Sequence, residues 1–393
     1  MGSTVNGPPQ QPSLAWRTTS SILMGLSVAV SKGFLYGLNK VETIGLERFV
    51  ELLDQRKDVQ KRTKGLITVS NHISMADLMR YVPRFSIDDP LIWGVLPLKY
   101  SFNHSNLRWS LAAHDICFQN PVLTTFFNLG KTLPTYRFKH SPYGGLFQPT
   151  MSDAIRLLSS EQHGLKYLTP PPSASGDHPA QSRLQYPPAP SDPAPAAPSY
   201  RPWDRHGWVH IFPEACVHQH PERALRYFKW GVARLVLESG PEPPDVVPMF
   251  IDGTDCVMSE DRGFPRFLPR IGRRVRVVFG EPLDFDLAFG DLKRKWDALV
   301  ASAAAAAASR AAPSRWAVAF PAETVDLEHG DEARAIRIEV TKRIRDEVLK
   351  LRRGLGYPDQ DPGMGSAETW AREPGVGYTY KSHVDGSKVN EKL

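Results

Sequence analysis

The stretch Gly65-Leu66-Ile67-Thr68-Val69-Ser70-Asn71-His72-Ile73-Ser74-Met75-Ala76-Asp77 decides how the chain is read. Its first half is a short apolar, β-branched run, the pattern of a strand buried on both faces. Its second half turns polar at once. A strand ending in a polar turn is a common mount for a catalytic group, since the scaffold fixes the turn while leaving its side chains accessible. His72 sits in that turn, with Asp77 five residues on. If Asp77 lies in the first turn of a helix over residues 75–82, its carboxylate folds back to one imidazole nitrogen. It would then fix the tautomer and raise the basicity of the other nitrogen. No serine nucleophile belongs to this arrangement, so such a base would act on a substrate hydroxyl directly. Among the 12 histidines only His72 has an aspartate at that spacing. Ordinary composition yields about 0.6 such pairs by chance, so the pair needs support from elsewhere.

Outward from this stretch the chain alternates strands and helices. Lys40–Ile44 and residues 208–212, 246–251 and 274–279 read as further strands, and 129–137 as a strand-like piece ending in Arg137. Helical patterns cover Leu46–Gln55 and residues 148–160, 223–237 and 332–352. The implied architecture is α/β: a single domain with a central mixed sheet flanked by helices. Residues 39–290 would form it, and 291–353 a C-terminal helical region carrying an alanine run at 303–308. A Pro, Ser and Ala-rich segment at 169–204 cannot bury enough apolar surface to fold and reads as an insertion. Residues 1–13 and 354–393 are expected to be disordered for the same reason.

Residues 14–38 form an N-terminal helix candidate whose apolar part, 21–38, is interrupted by Ser27, Ser31 and Lys32. A spanning helix needs roughly 20 predominantly apolar residues. A helix lying in the membrane interface fits better, with a buried helix of the domain as the alternative. Residues 91–127 mix Trp93, Phe102 and Trp109 with Lys99 and Arg108, which suits the headgroup boundary and core packing alike.

Composition narrows the classes. Three cysteines, Cys117, Cys216 and Cys256, are too scattered for a disulfide framework or a cysteine zinc site. The first dozen residues carry no basic region followed by an apolar core, so no cleavable signal peptide is expected. A net charge of +6 suits anionic headgroups and nucleic acid equally. Trp208-Val209-His210-Ile211-Phe212-Pro213-Glu214 ends another buried-looking strand in a carboxylate, and Arg223, Arg226 and Lys229 follow. Basic side chains near strand ends can grip a phosphate.

SNHIS at 70–74, DDPLIWGVLPLK at 88–99, LRWSLAAHDICF at 107–118, FFNLGKTLPTYR at 126–137, GWVHIFPE at 207–214, LRYFKWGVARL at 225–235 and FPRFLPRIGRRVRVVFGEPL at 264–283 together resemble one family. It is the tafazzins, phospholipid–lysophospholipid transacylases of the glycerolipid acyltransferase superfamily, and the likeness is to fungal forms. The resemblance implies acyl transfer between phospholipids and lysophospholipids at a membrane surface, with no cofactor, metal or nucleic acid. It leaves protein partners open. It implies cardiolipin remodelling in mitochondrial membranes, as a peripheral or monotopic protein facing the intermembrane space. His72 would be the general base. Arg137, Phe212, Pro213 and Glu214 would shape the headgroup site, and Pro248 would lie beside the acyl groove. Trp93, Phe102 and Trp109 are the expected membrane contacts. An acyl-CoA-dependent lysophospholipid acyltransferase and an inactive membrane-binding homologue are the alternatives.

The chain departs from the family pattern twice. The histidine's partner there is the first aspartate of an Asp-Asp-Pro run, which stands here at Asp88-Asp89-Pro90, pushed away by an extra segment within 76–87. Asp77 matches by spacing and Asp88 by flanking sequence; Asp77 is the expected partner and Asp88 the alternative. Ala215 also stands where the superfamily has Gly, and its methyl would crowd the headgroup site or narrow the backbone's choices.

Overall fold

The computed structural model describes residues 13–76, 85–137, 141, 144–159, 206–311, 325–374 and 379–391. Its strands are β1 (Lys40–Ile44), β2 (Leu66–Val69), β3 (Met75–Ala76), β4 (Phe85–Ser86), β5 (Arg108–Ala113) and β6 (Thr132–Thr135). Then follow β7 (Trp208–Ile211), β8 (Val217–Gln219), β9 (Asp245–Asp252), β10 (Arg274–Phe279), β11 (Thr379–Lys381) and β12 (Lys388–Asn390). The helices are α1 (Leu14–Leu38), α2 (Leu46–Gln55), α3 (Asp88–Trp93), α4 (His114–Cys117) and α5 (Pro121–Leu129). They continue with α6 (Pro149–Leu158), α7 (Gly231–Leu237), α8 (Thr254–Val257), α9 (Phe285–Ala311) and α10 (Asp331–Gly354).

Seven strands form the central mixed sheet, in the order β1-β10-β9-β2-β7-β5-β6. Only the β10–β9 pair within it is antiparallel. The side-chain period of two splits each strand between two cores. Ile67, Val69, Val246, Phe250 and Val278 join one core, to which α6, α7, α9 and α10 contribute Ile155, Val232, Phe289 and Val340. Leu66, Val247, Met249, Ile251 and Val277 join the other, beneath Leu35 of α1, Phe49 of α2 and Ile92 of α3. Helices thus cover both faces, which is why the strands read as nearly continuous apolar runs.

The parallel strands β2, β7, β5 and β6 all end on the same edge of the sheet. The segments leaving that edge are 70–74, 212–216, 114–117 and 136–137. Chain reversals at the carboxyl ends of parallel strands leave a crevice there, and the site lies in it.

Several elements differ from their sequence reading. The helix expected over 223–237 begins only at Gly231. Upstream of it Arg223 has φ 58°, and the carbonyls of Glu222, Arg223, Leu225 and Arg226 accept hydrogen bonds from the guanidiniums of Arg352 and Arg345 on α10. Those oxygens are committed to side chains, so the segment stays extended. The alanine run lies inside α9, which docks through Phe289, Leu292 and Trp296 instead. The tail beyond Gly354, expected to be disordered, is folded over most of its length. β11 pairs antiparallel with β12, and β12 with β8, with Val389 and Asn390 fully buried.

α1 is apolar on its exposed face as well as on its buried one, which carries Met24, Val28 and Leu35. Its buried residues include Ser20, Gly25 and Ser31, while Ile22, Leu26 and Val30, one turn apart on a single stripe, are 57 %, 61 % and 72 % exposed. The small residues permit close packing: a Cβ on Gly94 of the loop after α3 would come within 2.9 Å of the Ser31–Lys32 backbone.

Candidate active site

The turn after β2 is held from every side. Ser70 N–H donates to the Ile211 carbonyl at 3.2 Å, extending the β2–β7 pairing. The Asn71 side chain imitates a strand, donating to the Ile251 carbonyl and accepting from the Ile251 N–H, each at 2.8 Å. His72 N–H donates to Glu214 Oε1 at 3.0 Å, and the His72 carbonyl accepts from His218 N–H at 3.0 Å. Gln219 Nε2 caps the Ile73 carbonyl at 2.8 Å. Each buried polar group of the turn named here is thereby paired, and the imidazole's backbone has no slack.

The carboxylate on the ring is Asp88. His72 Nδ1 and Asp88 Oδ2 are 2.7 Å apart, and the same oxygen accepts the N–H groups of Ile73 and Ser74, each at 2.8 Å. Thr254 Oγ1 donates to Oδ1 at 2.6 Å. Asp88 Oδ2 already accepts from two backbone N–H groups and so faces Nδ1 as an acceptor; with Nδ1 as the donor, Nε2 is the ring nitrogen left to accept. Asp88 reaches the ring across the extra segment because β3 and β4 pair antiparallel, Met75 with Ser86 and Ala76 with Phe85. That ladder closes the excursion at its base and brings Asp88 beside Ser74 and the His72 ring. Asp77, the expected partner, lies outside the described residues, as does most of the helix expected over 75–82. Met75 and Ala76, at its start, are in a strand instead.

Phe212 stacks on the His72 ring at 4.5 Å between centroids. Beneath it His210 is fully buried, between Thr68 Oγ1 at 2.8 Å and Ser70 Oγ at 3.4 Å, and burial pushes its pKa down to about 3. His210 is therefore neutral and serves as packing. Glu214 links the two strand ends, its second oxygen accepting Arg226 N–H at 2.9 Å. Burial raises its pKa, opposed by His218 and the two backbone N–H groups. Asp89, next to the dyad acid, is bound by Arg108, Ser110 and Trp93. Burial works against its charge, but Arg108 first, with Ser110 and Trp93, holds its pKa below the usual range.

His72 opens on a cavity of about 1010 Å³ that also reaches Arg137, Phe212, Pro213 and Glu214. Leu23, Leu26 and Val30 of α1 and Phe126 of α5 form an apolar wall; Arg137, Arg226, Tyr227 and Lys229 form a cationic end. Arg137 is not a bare charge: Nε donates to Asp115 Oδ1 at 2.9 Å and a terminal nitrogen to the Glu391 carbonyl at 2.6 Å. Cys117 and Cys216 line the cavity too, but burial pushes their thiols up to about 12 and about 11, which keeps both protonated and poorly nucleophilic. Among the described residues no serine, threonine or cysteine side chain hydrogen-bonds to the His72 ring.

Other expected site residues sit elsewhere. Pro248 is buried in β9 opposite Val69, its carbonyl accepting from Gly280 N–H at 2.8 Å, and does not line the cavity. Arg223 is spent on Asp252 and Asp255. Trp93 and Trp109 cannot be membrane contacts, for each is 2 % exposed in the cores on the two sides of the sheet. Phe102, at 58 %, is exposed.

No family model matches the chain. Among characterised proteins it is 34 % identical to the Saccharomyces cerevisiae protein named tafazzin, over 91 % of this chain and 84 % of that one. The chain belongs to the tafazzin family. It is an acyltransferase. A Drosophila melanogaster tafazzin is 32 % identical over 73 % of this chain and 57 % of its own length. An Arabidopsis thaliana N-acylphosphatidylethanolamine synthase is 28 % identical over 73 % of this chain and 78 % of its own. Against the tafazzin pattern Ala215 gains a physical meaning, since its φ of 54° lies in the left-handed region that favours glycine.

Sequence reading passed over Asn71, Thr254 and Gln219, which hold the dyad, and Tyr380 and Glu391, which reach the cavity's cationic end from the tail. The Asp-Asp-Pro flank pointed to Asp88. Nothing in the polar composition of the tail marked Tyr380 or Glu391, because their role depends on a pairing far along the chain.

Proposed function

We propose that this chain is a CoA-independent phospholipid–lysophospholipid transacylase that remodels cardiolipin acyl chains at mitochondrial membranes facing the intermembrane space. His72 is the general base and Asp88 the acid that orients it. One observation carries the reading: the His72 ring, its Nδ1 committed to Asp88, opens on a cavity walled by Leu23, Leu26 and Val30 of the apolar helix α1, on which Ile22 is also exposed. Its volume is at the upper end of the roughly 300–1,000 Å³ of ordinary ligand pockets. A membrane lipid enters such a cavity without leaving apolar surroundings, so both acyl donor and acceptor come from the bilayer.

The chemistry follows from the free nitrogen. Nε2 takes the proton of a lysophospholipid hydroxyl as its oxygen attacks the ester carbonyl of a second phospholipid. The ester's acyl–oxygen bond then breaks, and the imidazolium returns the proton to the departing glycerol oxygen. One ester is lost and one gained, so no external driving force enters. Asp88 remains ionised throughout and stabilises the imidazolium. Arg137, Arg226 and Lys229 offer their charge to the phosphate, and the protonated thiols leave His72 to act on the substrate directly.

The test is acyl exchange by purified protein, given lysophospholipid and a labelled phospholipid donor with no CoA thioester. Transfer of label to the lysophospholipid is expected. A strict need for thioester would reject the reading in favour of an acyl-CoA-dependent acyltransferase.

A further inference from the structure

The burial of Trp93 and Trp109 removes two expected lipid contacts, and a different surface presents what they lack. Between α8 and β10 the chain runs through Phe264-Pro265-Arg266-Phe267-Leu268-Pro269-Arg270-Ile271-Gly272-Arg273-Arg274. Phe264 is 92 % exposed, Ile271 61 %, Leu268 48 % and Phe267 39 %. Clustered apolar side chains of this size on one short loop are unusual on a surface that meets only water. The same residues include four arginines and no acid.

The loop holds these side chains in fixed positions. Arg262, itself 6 % exposed, donates to the carbonyls of Ser259 and Arg266, and Arg270 donates to that of Gly263. Arg270 N–H is tied to the Val257 carbonyl at 2.9 Å. The far end of the loop is bonded to α1: Gly272 N–H donates to the Leu38 carbonyl at 2.7 Å and Arg273 N–H to Asn39 Oδ1 at 3.0 Å. Tyr36 and Leu38, at the end of α1, are each half exposed. The loop's end is therefore fixed against the exposed carboxyl end of the helix. Its acidic neighbours are already engaged, Asp261 by Lys388, Glu260 by Asn390 and Glu42 by Arg274.

We propose that residues 264–273 are a second membrane contact, specific for an anionic leaflet. Phe264, Phe267, Leu268 and Ile271 enter the boundary between headgroups and acyl chains while Arg266 and Arg273 meet lipid phosphates. The loop fixes the carboxyl end of α1 at the interface and so sets the cavity's apolar wall against the lipid. This rests on the reading that α1 lies at a membrane.

Partition of the purified full-length protein into sedimented vesicles tests it, with phosphatidylcholine alone or mixed with phosphatidylglycerol. The double change Phe264→Ser with Ile271→Ser is expected to lower partition into both vesicles about tenfold or more, from the apolar area it removes. Arg273→Gln should lower partition only into the anionic vesicles, by about fivefold, as one surface charge is worth there. In a second measurement, brominated lipid should quench the fluorescence added by the single change Phe264→Trp. Unchanged partition of the double variant, or added fluorescence that brominated lipid leaves unquenched, overturns the proposal. So does an effect on self-association with partition unaltered. Partition reads no turnover: failure of acyl exchange would reject the transacylase and leave this surface standing, while unchanged partition would do the reverse.

Discussion

Asp88 accepts from four donors at once, the His72 ring, two backbone N–H groups and the Thr254 hydroxyl. An amide at that position keeps one acceptor oxygen for the two backbone N–H groups, with its NH₂ toward the Thr254 hydroxyl, but it carries no charge to stabilise an imidazolium. Asp88→Asn is therefore expected to leave lipid binding largely intact while lowering the acyl-transfer rate about 10²- to 10⁴-fold, as loss of the orienting acid does in a triad. Steady-state rates over a range of lysophospholipid concentrations would show it as a fall in kcat with little change in KM. The backbone at Ala215 gives a second residue-scale prediction. With φ at 54°, Ala215→Gly relieves a left-handed strain of about 1 kcal/mol, and urea unfolding should show a gain of up to that amount. At this scale the sequence disclosed His72 because a polar turn interrupts an apolar strand. It pointed to Asp77 because spacing along the chain stood in for distance in space. The β3–β4 ladder breaks that equivalence, since two paired residues on each side bring Ser74 and Asp88 together whatever lies between.

At the scale of elements, strands were legible where both faces are buried, as in Gly65 to Ser70, because their apolar runs have one reading. The stretch 223–230 was not, since its pattern is helical and only the guanidiniums of Arg345 and Arg352 hold its carbonyls elsewhere. The tail was illegible for a similar reason. β12 owes its place to β8, whose His218 also holds the His72 carbonyl, so the tail supports the His72 turn at one remove. His218 Nε2 and Asp385 Oδ2 join the two at 3.0 Å. Burial works against the charge of Asp385, but His218 and Ser387 overcome it and hold the carboxyl well below its usual range. A depressed carboxylate contributes stability above its unfolded pKa, near 4, and loses it as pH falls through the folded value. The stability difference between wild type and Asp385→Asn should thus be constant near pH 7 and shrink progressively below about pH 4. Denaturant unfolding of both proteins across that range checks it; a difference that grows on acidification would contradict it.

The whole molecule is an α/β sheet whose parallel strands end together on one edge, with an apolar helix laid beside that edge. The alternation of strands and helices made the sheet readable. The aromatic segment 91–127 misled, because tryptophan suits a core and a membrane interface equally and only the fold decides which it meets. What the arrangement achieves is a histidine facing an apolar cavity beside α1, which is the geometry the proposed transacylase needs.

The most direct measurement of that claim is the exchange of labelled acyl chains by purified wild type and His72→Ala, without CoA thioester and at matched protein folding. Exchange by the wild type and a loss of at least about 10²-fold in the variant, the lower bound for removing a general base, are expected. Equal rates in the two proteins would contradict it.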